Sequence, residues 1–320
     1  MNARNPYIEG TRYLDFAPPS GRLSTAQRAW RRAWSLAVLP ATLARAHQLG
    51  TPGLEQRLAS VVLGLRAAAC GDLQRALRLV ADPMDSFRYF EHDFVVRVAR
   101  ERPVQRHLDV SSPRLAPLLI LVADPGCRSV LLNPIPDDLA ETRALARAVG
   151  LGSRCSFEAR LIEDAGFADG SFELITSVSV VEHIPDDTRA VASMWRLLAP
   201  GGRLLITVPC ARYACDEYTN LDEYGLFGKN DRGYVYWQRY YDAAALEQRL
   251  WSVTGTPARL RIYGEKVPGT YDDNVERKRT DPSYPYWNEP VFMGSHFQPY
   301  DRLDQLPGMG VIAMEFVKQP

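Results

Sequence analysis

Residues 107–209 alternate short apolar segments of strand length with longer segments of helical periodicity, and this alternation is the strongest constraint on the fold. The apolar segments include 130–132, 174–176 and 204–208. Strands that alternate with helical segments are typical of a parallel sheet with helices on both faces. We therefore predict an α/β fold with a doubly wound, mostly parallel sheet.

Seven strands can be placed along the chain. The turn after the first strand, at 111–113, is where ligands bind in doubly wound folds and where helix N-terminal amides face outward. Pro136 and Gly150 mark the ends of the helix that follows the second strand. The predicted strands cover 106–110, 129–133, 155–160, 173–179, 203–208, 258–266 and 311–318.

The N-terminal third of the chain has helical periodicity. Ser24 and Gln27 form a capping box that predicts a first helix, with Pro40 as a kink or a stop. A second helix follows, with an apolar stripe that includes Leu58 and Leu65, and two more helices extend to residue 100. The predicted organisation is an irregular N-terminal arm at 1–23, a helical cap at 24–105 and a main domain at 106–320 with insertions at 210–241 and 267–307.

Charge and composition exclude several classes of protein. The chain has no net charge, but residues 1–105 carry 15 arginines and no lysine against nine acidic residues. Because these arginines are interleaved with apolar residues, we expect a solvated helical surface or a contact with an acidic partner domain, and no nucleic-acid binding. The five cysteines lack a paired metal spacing, which favours free buried thiols, no metal site and a cytoplasmic location. No segment of about 18 apolar residues is present, so we expect neither a signal peptide nor a membrane span.

Three motifs in the central part of the chain occur in a fixed order. They are GFADGSFELI at 166–175, VVEHI at 180–184 and LLAPGGRLLITVP at 197–209. With these motifs, residues 106–209 resemble the class I S-adenosylmethionine-dependent methyltransferases. The resemblance implies a Rossmann-like methyltransferase fold, S-adenosylmethionine as the cofactor, and methylation of a small-molecule acceptor without membrane partners.

The resemblance also implies the contacts of the cofactor. Asp109 matches the acidic residue that faces the methionine ammonium, and Asn133 stands where the family usually carries an acidic ligand of the ribose hydroxyls. Ser111 and Ser112 replace the family's Gly-rich turn. Glycines permit close backbone approach and positive φ, so their loss implies a turn built on serine hydroxyls or a domain that no longer binds the cofactor. The other implied contacts lie in the adenine loop and at the end of the fourth strand: Leu161, Ile162, Glu163, Ser177 and Ser179.

Methyl transfer is an in-line displacement that depends on positioning, and it needs a general base only when the acceptor is protonated. Glu182 and His183 follow the fourth strand and are candidate bases, although the EHI segment could instead shape its loop. Tyr89 in the cap is a further catalytic candidate, unless it belongs to the core. The candidates for acceptor binding are Arg88, Tyr213 and Tyr218, with an ion pair to Glu91 or Glu101 as the alternative for Arg88.

Two other functions are compatible with these motifs. A non-methylating enzyme would cyclise adenosylmethionine to azetidine-2-carboxylate and release methylthioadenosine, as synthases with this fold do. A non-catalytic pseudo-methyltransferase would bind a partner protein through its arginine-rich cap. Long insertions in a compact domain are usually functional or form oligomer contacts, so a homodimer through the aromatic insertions is a further expectation.

Overall fold

The N-terminal part of the protein is mainly helical in the computed structural model, which describes residues 10–16, 23–82, 84–222 and 224–319. The predicted capping box is confirmed, since Ser24 and Gln27 each accept a hydrogen bond from the other's backbone N–H. Pro40 does not end the first helix. Proline lacks the N–H that would bond the carbonyl four residues earlier, but Pro40 is exposed, so water can reach that carbonyl. The elements are β1 (Gly10–Leu14), α1 (Thr25–Gln48), α2 (Leu54–Ala69), α3 (Leu73–Ala81) and α4 (Arg88–Arg100).

Helix α2 packs through a different face from the one predicted. Leu58 and Leu65 are 54% and 63% exposed, so the predicted apolar stripe points outward. The buried face carries Arg57, whose guanidinium donates to the carbonyls of Leu79 and Val80 at the end of α3. Gly64 lies on the same face, where an added Cβ would stand 2.6 Å from a methyl group of Val80. Leu63 and Ala67 are buried on this face as well, so α2 is oriented by close approach to α3 together with a small apolar surface.

The central part of the chain follows the predicted alternation of strands and helices. Helix α7 is capped by Asp186, whose side chain accepts from the backbone N–H of Arg189. Each predicted strand from 106 to 208 is present, with ends shifted by a few residues. The elements are β2 (Arg106–Val110), α5 (Leu115–Ala123), β3 (Arg128–Leu132), α6 (Pro136–Ala148), β4 (Cys155–Glu158), β5 (Phe172–Val178), α7 (Asp187–Leu197) and β6 (Leu198–Cys210).

The remaining elements include both predicted insertions, which hold more regular structure than expected. The helix that starts after Asp242 continues through a π-helical turn at Glu247–Trp251. The elements are β7 (Cys215–Thr219), β8 (Val235–Tyr240), α8 (Ala243–Leu246), α9 (Ser252–Thr254), β9 (Arg259–Glu265), α10 (Thr270–Thr280), α11 (Glu289–His296), β10 (Phe297–Tyr300) and β11 (Gly310–Val317).

Eight strands form the central sheet, in the order β10-β9-β11-β6-β5-β2-β3-β4. The five strands from β6 to β4 are parallel, whereas β11, β9 and β10 are each antiparallel to a neighbour. The prediction of a doubly wound, mostly parallel sheet is confirmed. The number of strands is eight rather than seven, because β10 of the second insertion pairs with the free edge of β9. The strand order reverses between β2 and β5, which makes their carboxyl ends the expected ligand site.

A second, three-stranded sheet joins the N-terminal segment to the first insertion. β1 pairs in parallel with β7, and β7 pairs antiparallel with β8. Tyr13 stacks on Tyr218 with ring centroids 5.5 Å apart, and Arg12 lies 3.2 Å from the buried Glu217. Residues 10–14 of the predicted irregular arm are therefore a strand, because β7 offers them an edge; residues 1–9 and 17–22 of that arm lie outside the described residues.

The cap helices pack directly on the sheet. Phe90 of α4 stacks on Tyr263 of β9 with ring centroids 5.3 Å apart. Arg203 of β6 donates to the carbonyls of Val98 and Ala99 at the end of α4. Within the described ranges, no helix is long and apolar enough to cross a membrane. The expectation of buried thiols is wrong for Cys70, which is exposed where α2 ends.

Candidate active site

A cavity of about 1220 Å³ opens at the carboxyl ends of β2, β3, β4 and β5. It lies at the reversal of strand order, where doubly wound sheets bind ligands. Its volume exceeds the roughly 300–1,000 Å³ of pockets for one drug-sized ligand, so it has room for two molecules. The strand-end turns form the floor, α3 and α4 of the cap form one wall, and the insertions close another. The wall residues include Arg75, Arg88, His92, His183, Tyr224, Phe227 and Tyr286.

The turn after β2 adopts a left-handed conformation without glycine. Ser111 has φ of +53°, and its backbone N–H and Oγ both donate to the carbonyl of Leu132, at 2.8 and 3.1 Å. The next residue, Ser112, is buried, and its Oγ accepts from the backbone N–H of Val178 at 3.0 Å. The serine hydroxyls thus fix the turn to the ends of β3 and β5. This arrangement matches the alternative of a turn built on serine hydroxyls. Both serines line the cavity.

Ser111→Gly is expected to stabilise the protein by about 0.5–1 kcal/mol, because glycine adopts positive φ without a steric cost. The Leu132 carbonyl keeps its backbone donor in this variant. Ser112→Gly is the matched control and is expected to destabilise, since it removes the acceptor of the Val178 N–H. Urea unfolding of both variants measures the two changes; a Ser111→Gly variant as unstable as Ser112→Gly would contradict the prediction.

Asp109 lies beneath this turn and is not among the residues that line the cavity. Its Oδ2 accepts from the backbone N–H of Ser112 at 3.2 Å, and its Oδ1 accepts from Thr176 Oγ1 at 2.8 Å. His107 Nε2 donates to Thr176 Oγ1 at 2.8 Å, and Ser129 Oγ donates to His107 Nδ1 at 2.9 Å. Burial raises the pKa of Asp109 to about 6 and lowers the pKa of His107 to about 3. Asp109 thus supports the turn from below, and the contact with the methionine ammonium inferred for it stays a prediction.

Asn133, after β3, also points to a neighbour in the protein. Its Oδ1 accepts from the backbone N–H of Ile135 at 2.9 Å, and its Nδ2 donates to Asp138 Oδ2 at 2.7 Å. Asp138 in turn pairs with Arg114. Asn133 and Asp138 both line the cavity. Position 133 carries an amide in place of the expected acidic residue. The carboxylate of Asp138 in α6 lies next to this amide.

The adenine-loop candidates lie together at the end of β4. Leu161, Ile162 and Glu163 all line the cavity, with Leu161 47% exposed and Ile162 buried beneath it. An exposed leucine next to a partly buried carboxylate provides an apolar surface beside a hydrogen-bond acceptor. This pairing suits a flat heterocycle that carries an amino group.

The end of β5 is tied to the cap through a buried carboxylate. Ser179 has φ of +48°, and its Oγ donates to Glu91 Oε1 of α4 at 2.5 Å. Thr207 Oγ1 donates to the same oxygen at 2.7 Å, and Arg88 Nη1 donates to Glu91 Oε2 at 2.5 Å. Burial alone would raise the pKa of Glu91, but Arg88 and the two hydroxyl donors outweigh it and lower that pKa. Glu91 is therefore charged, and it fixes Ser179 and Arg88 together.

His183 lies on the cavity wall with a defined tautomer. Its Nδ1 is 2.6 Å from the carbonyl oxygen of Trp237, which only accepts, so Nδ1 carries the hydrogen and Nε2 carries the lone pair. The Nε2 atom lies 3.5 Å from Tyr224 Oη and 3.8 Å from Glu182 Oε1. Burial lowers the pKa of His183 to about 4, so the imidazole is neutral at neutral pH. An unprotonated Nε2 in the cavity can accept a proton or a hydrogen bond.

Glu182 lies behind His183 and away from the cavity lining. It is buried, and among the described residues its Oε2 has no hydrogen-bond partner. Burial, with a smaller contribution from the charge of Glu91, raises the pKa of Glu182 to about 8. Glu182 is therefore mostly protonated at pH 7, and its role as a general base stays a prediction.

Glu182→Gln is expected to change the pH dependence of stability. Because the pKa of Glu182 is raised in the folded state, its contribution to stability is full below about pH 4.5 and is lost as pH rises towards 8. The neutral glutamine avoids this loss, so the variant gains about 3–4 kcal/mol over the wild type between pH 5 and pH 8. Urea unfolding at unit pH steps tests this, and parallel curves for the two proteins would rule it out.

Four other sequence-based candidates lie outside the cavity lining. Tyr89 is 1% exposed and packs in the core beside Arg57, as the alternative to its catalytic role proposed. Ser177 is fully buried within β5. Tyr213 is exposed and lies under the guanidinium of Arg212, and Tyr218 stacks on Tyr13. The aromatic wall of the cavity comes instead from Tyr224, Phe227 and Tyr286.

Among the polar residues of the cavity, the sequence-based reasoning missed Asp138. Asp138 had a usable signal, since it lies in the first turn of a helix that follows a strand of the sheet. His92, a candidate for ligand contact on the sequence, lines the cavity; it is buried on α4, where its Nδ1 contacts Met84 Sδ at 3.2 Å. Within the described residues, no group of three or more His, Cys, Asp or Glu side chains is arranged to hold a metal ion.

The comparisons with known proteins concern the same part of the chain. Residues 109–206 match the family model described as a methyltransferase domain. Residues 109–206 are therefore similar to a methyltransferase domain, in agreement with the resemblance that the three motifs indicated. The match excludes all four cap helices and both insertions, although α3, α4 and the insertions also line the cavity.

Two relatives of the methyltransferase domain are enzymes of small-molecule metabolism by name. Tocopherol O-methyltransferase from Arabidopsis thaliana is 36% identical over 86 residues, or 27% of this chain and 24% of that protein. Ubiquinone biosynthesis O-methyltransferase from Xanthomonas oryzae pv. oryzae is 35% identical over 113 residues, or 31% of this chain and 47% of that protein. The chain thus spans between a quarter and a half of the length of these relatives. Geranyl diphosphate C-methyltransferase from Streptomyces coelicolor A3(2) superposes with a TM-score of 0.47 at 10% identity, covering 77% of this chain and 80% of that chain.

The cofactor of the methyltransferase domain is S-adenosylmethionine, and the cavity has the groups that this molecule requires. The left-handed turn at Ser111 exposes backbone at the end of β2, and Asp138 with Asn133 offers polar atoms at the end of β3. Leu161 and Glu163 offer an apolar face and an acceptor at the end of β4. These positions suit an amino acid end, a ribose and a base in that order across the sheet. The residues present therefore fit the cofactor, even without a glycine in the turn.

Proposed function

We propose that the protein is an S-adenosylmethionine-dependent methyltransferase that acts on a small molecule. The observation that carries this proposal is that one cavity contains both the turns that suit the cofactor and the unprotonated Nε2 of His183. A cavity of about 1220 Å³ has room for the cofactor and for a second molecule. Enclosure by the cap and the insertions favours a small acceptor over an extended polymer.

The chain's own residues contribute mainly by positioning. Ser111 and Ser112 present the backbone of the β2 turn, and Asn133 and Asp138 present polar atoms to hydroxyl groups. Tyr224, Phe227 and Tyr286 exclude water and offer aromatic faces that stabilise a nearby positive charge. When bound, S-adenosylmethionine supplies a methyl group on a positively charged sulfur and leaves as S-adenosylhomocysteine. Alignment of the acceptor with that methyl group provides most of the rate increase.

His183 is the proposed general base. Its Nδ1–H is held by the Trp237 carbonyl, so its Nε2 accepts the proton that a hydroxyl or amine acceptor loses. A pKa of about 4 keeps Nε2 free of a proton over the whole neutral range. The matched relatives are named as O-, N- and C-methyltransferases, so acceptors with hydroxyl and with amino groups are both included in the test below.

The first test is binding and product analysis. Isothermal titration calorimetry with S-adenosylmethionine and S-adenosylhomocysteine is expected to give saturable binding, and absence of heat would favour a non-catalytic domain. Mass spectrometry then follows incubation of enzyme and cofactor with a panel of phenols and amines. S-adenosylhomocysteine that forms only with an acceptor supports the proposal. Methylthioadenosine that accumulates without an acceptor would contradict it and point to cyclisation of the cofactor.

A further inference from the structure

Arg88 is the cation of the cavity wall that is most firmly fixed by the protein. Its side chain is 30% exposed, and its Nη1 donates to Glu91 Oε2, whose side chain is fully buried. Arg75 and Arg114 also line the cavity, but their partners Glu141 and Asp138 have side chains 50% and 35% exposed. Arg88 is thus held from behind by a group that solvent cannot reach.

We propose that Arg88 binds a carboxylate in the cavity, supplied by the methionine end of the cofactor or by the acceptor. The proposal rests on the proposed function and specifies one ligand group for that site. A guanidinium carries five N–H groups in a planar fork. Among the described residues, Glu91 is the one hydrogen-bond partner of Arg88 and takes a single N–H. The edge formed by Nε and Nη2 remains available to a ligand. The two parallel N–H groups of this edge can bind both oxygens of one carboxylate.

Glu91 acts as the positioning residue for Arg88. Ser179 and Thr207 both donate to Glu91 Oε1, so the carboxylate cannot rotate without the loss of two hydrogen bonds. Its second oxygen therefore holds Arg88 in one orientation before any ligand enters. Such preorganisation lowers the entropic cost of binding.

The charges around Arg88 permit a second carboxylate to enter. Glu182 is the other acidic side chain that interacts with Arg88 electrostatically, and burial keeps it mostly protonated at pH 7. His92 and His183, which both feel the charge of Arg88, are neutral because burial lowers the pKa of each to about 4. Glu91 is therefore the one charged acid in direct contact with Arg88 among the described residues, and both of its oxygens are engaged.

Two pairs of ligands that differ in one carboxylate test the proposal by calorimetry. The first pair is S-adenosylmethionine and decarboxylated S-adenosylmethionine. The second pair, measured on protein saturated with S-adenosylhomocysteine, is 3,4-dihydroxybenzoate and 3,4-dihydroxybenzamide. Arg88→Gln is expected to weaken binding of the carboxylate ligand of one pair at least about tenfold. Binding of the other ligand in that pair is expected to weaken less than about twofold. Selective loss in the first pair assigns the carboxylate to the cofactor, and selective loss in the second assigns it to the acceptor.

Two further variants separate recognition from folding. Arg97→Gln is the matched control, because Arg97 lies on the same helix and pairs with Asp93 at 2.7 Å, outside the cavity lining. It is expected to leave both pairs unchanged. Arg88→Lys keeps the charge but loses the fork, so it is expected to restore only part of the affinity.

The proposal is overturned if Arg88→Gln does not selectively reduce the affinity for the carboxylate ligand in either pair. An equal loss of affinity for both ligands of a pair is such a result. A probe that the wild type does not bind counts as showing no selective loss. Failure of the proposed function gives a different result, because the wild type then binds neither S-adenosylmethionine nor S-adenosylhomocysteine. In that case, the second pair of ligands is measured on the protein without S-adenosylhomocysteine.

Discussion

His183→Ala is expected to lower the turnover number of the enzyme by about 100-fold to 10,000-fold, the range typical of a lost general base. The imidazole Nε2 lies on the cavity wall, and the Trp237 carbonyl fixes its lone pair as the proton acceptor. The dissociation constant for S-adenosylmethionine is expected to change less than about threefold, since the side chain lies beyond the turns at β2 and β3. Steady-state assays with an acceptor found by the product screen measure the turnover number. Calorimetry measures the dissociation constant for S-adenosylmethionine.

His296→Ala is the matched control for this experiment. His296 also directs its Nδ1 to a backbone carbonyl, that of Phe292 at 3.0 Å, but it lies outside the cavity lining. Its loss is expected to leave turnover unchanged. Equal turnover of the His183→Ala variant and the wild type would assign His183 to the shape of its loop, the alternative that the sequence left open.

Asp109→Ala is expected to destabilise the protein by about 2–5 kcal/mol and to weaken binding of S-adenosylmethionine at least about tenfold. The substitution leaves two donors without their acceptor, the backbone N–H of Ser112 and the hydroxyl of Thr176. Both are buried, and an unsatisfied buried donor costs about 1–3 kcal/mol. The turn that carries Ser111 and Ser112 then loses its support from below, which is why affinity is expected to fall together with stability.

Asp109→Asn separates shape from hydrogen bonding in this network. The amide has the size of the carboxylate but one acceptor atom, so it satisfies Ser112 or Thr176 but not both. We expect its loss of stability to be about half that of Asp109→Ala, measured by urea unfolding. An alanine variant with wild-type stability and wild-type affinity would show that the turn does not depend on Asp109.

Most of the fold could be predicted because its signals are local. The capping box at Ser24 and the alternation of strands and helices each depend on residues within a few positions of one another. The eighth strand and the β1–β7 pairing could not be predicted, because each requires an edge supplied by a distant part of the chain. Whether Pro40 kinks or stops its helix could not be decided from the sequence for a related reason, because the cost of a proline depends on whether the released carbonyl faces water.

Candidate residues at strand ends were predicted more accurately than those on helices or in insertions. Ser111, Asn133, Leu161, Ser179 and His183 all line the cavity, since the carboxyl ends of parallel strands meet at one edge. On α4, ten of thirteen residues are buried, so periodicity could not distinguish Arg88, which faces the cavity, from Tyr89, which faces the core. The support that Asp109 gives to the turn at Ser112 was not predicted, because the sequence does not show which buried donors surround a carboxylate.

The hydrogen-bonded chain from Ser129 through His107 and Thr176 to Asp109 has a consequence for how the strands find their neighbours. Strands buried on both faces are rich in interchangeable apolar residues, and such strands can slip against one another at little cost. In the native pairing, His107 lies opposite Ser129 and Asp109 lies opposite Thr176. A shift of one residue would separate every donor from its acceptor inside the core. The same polar groups that support the cofactor turn therefore penalise misaligned sheets and favour a single alignment of β3, β2 and β5 during folding.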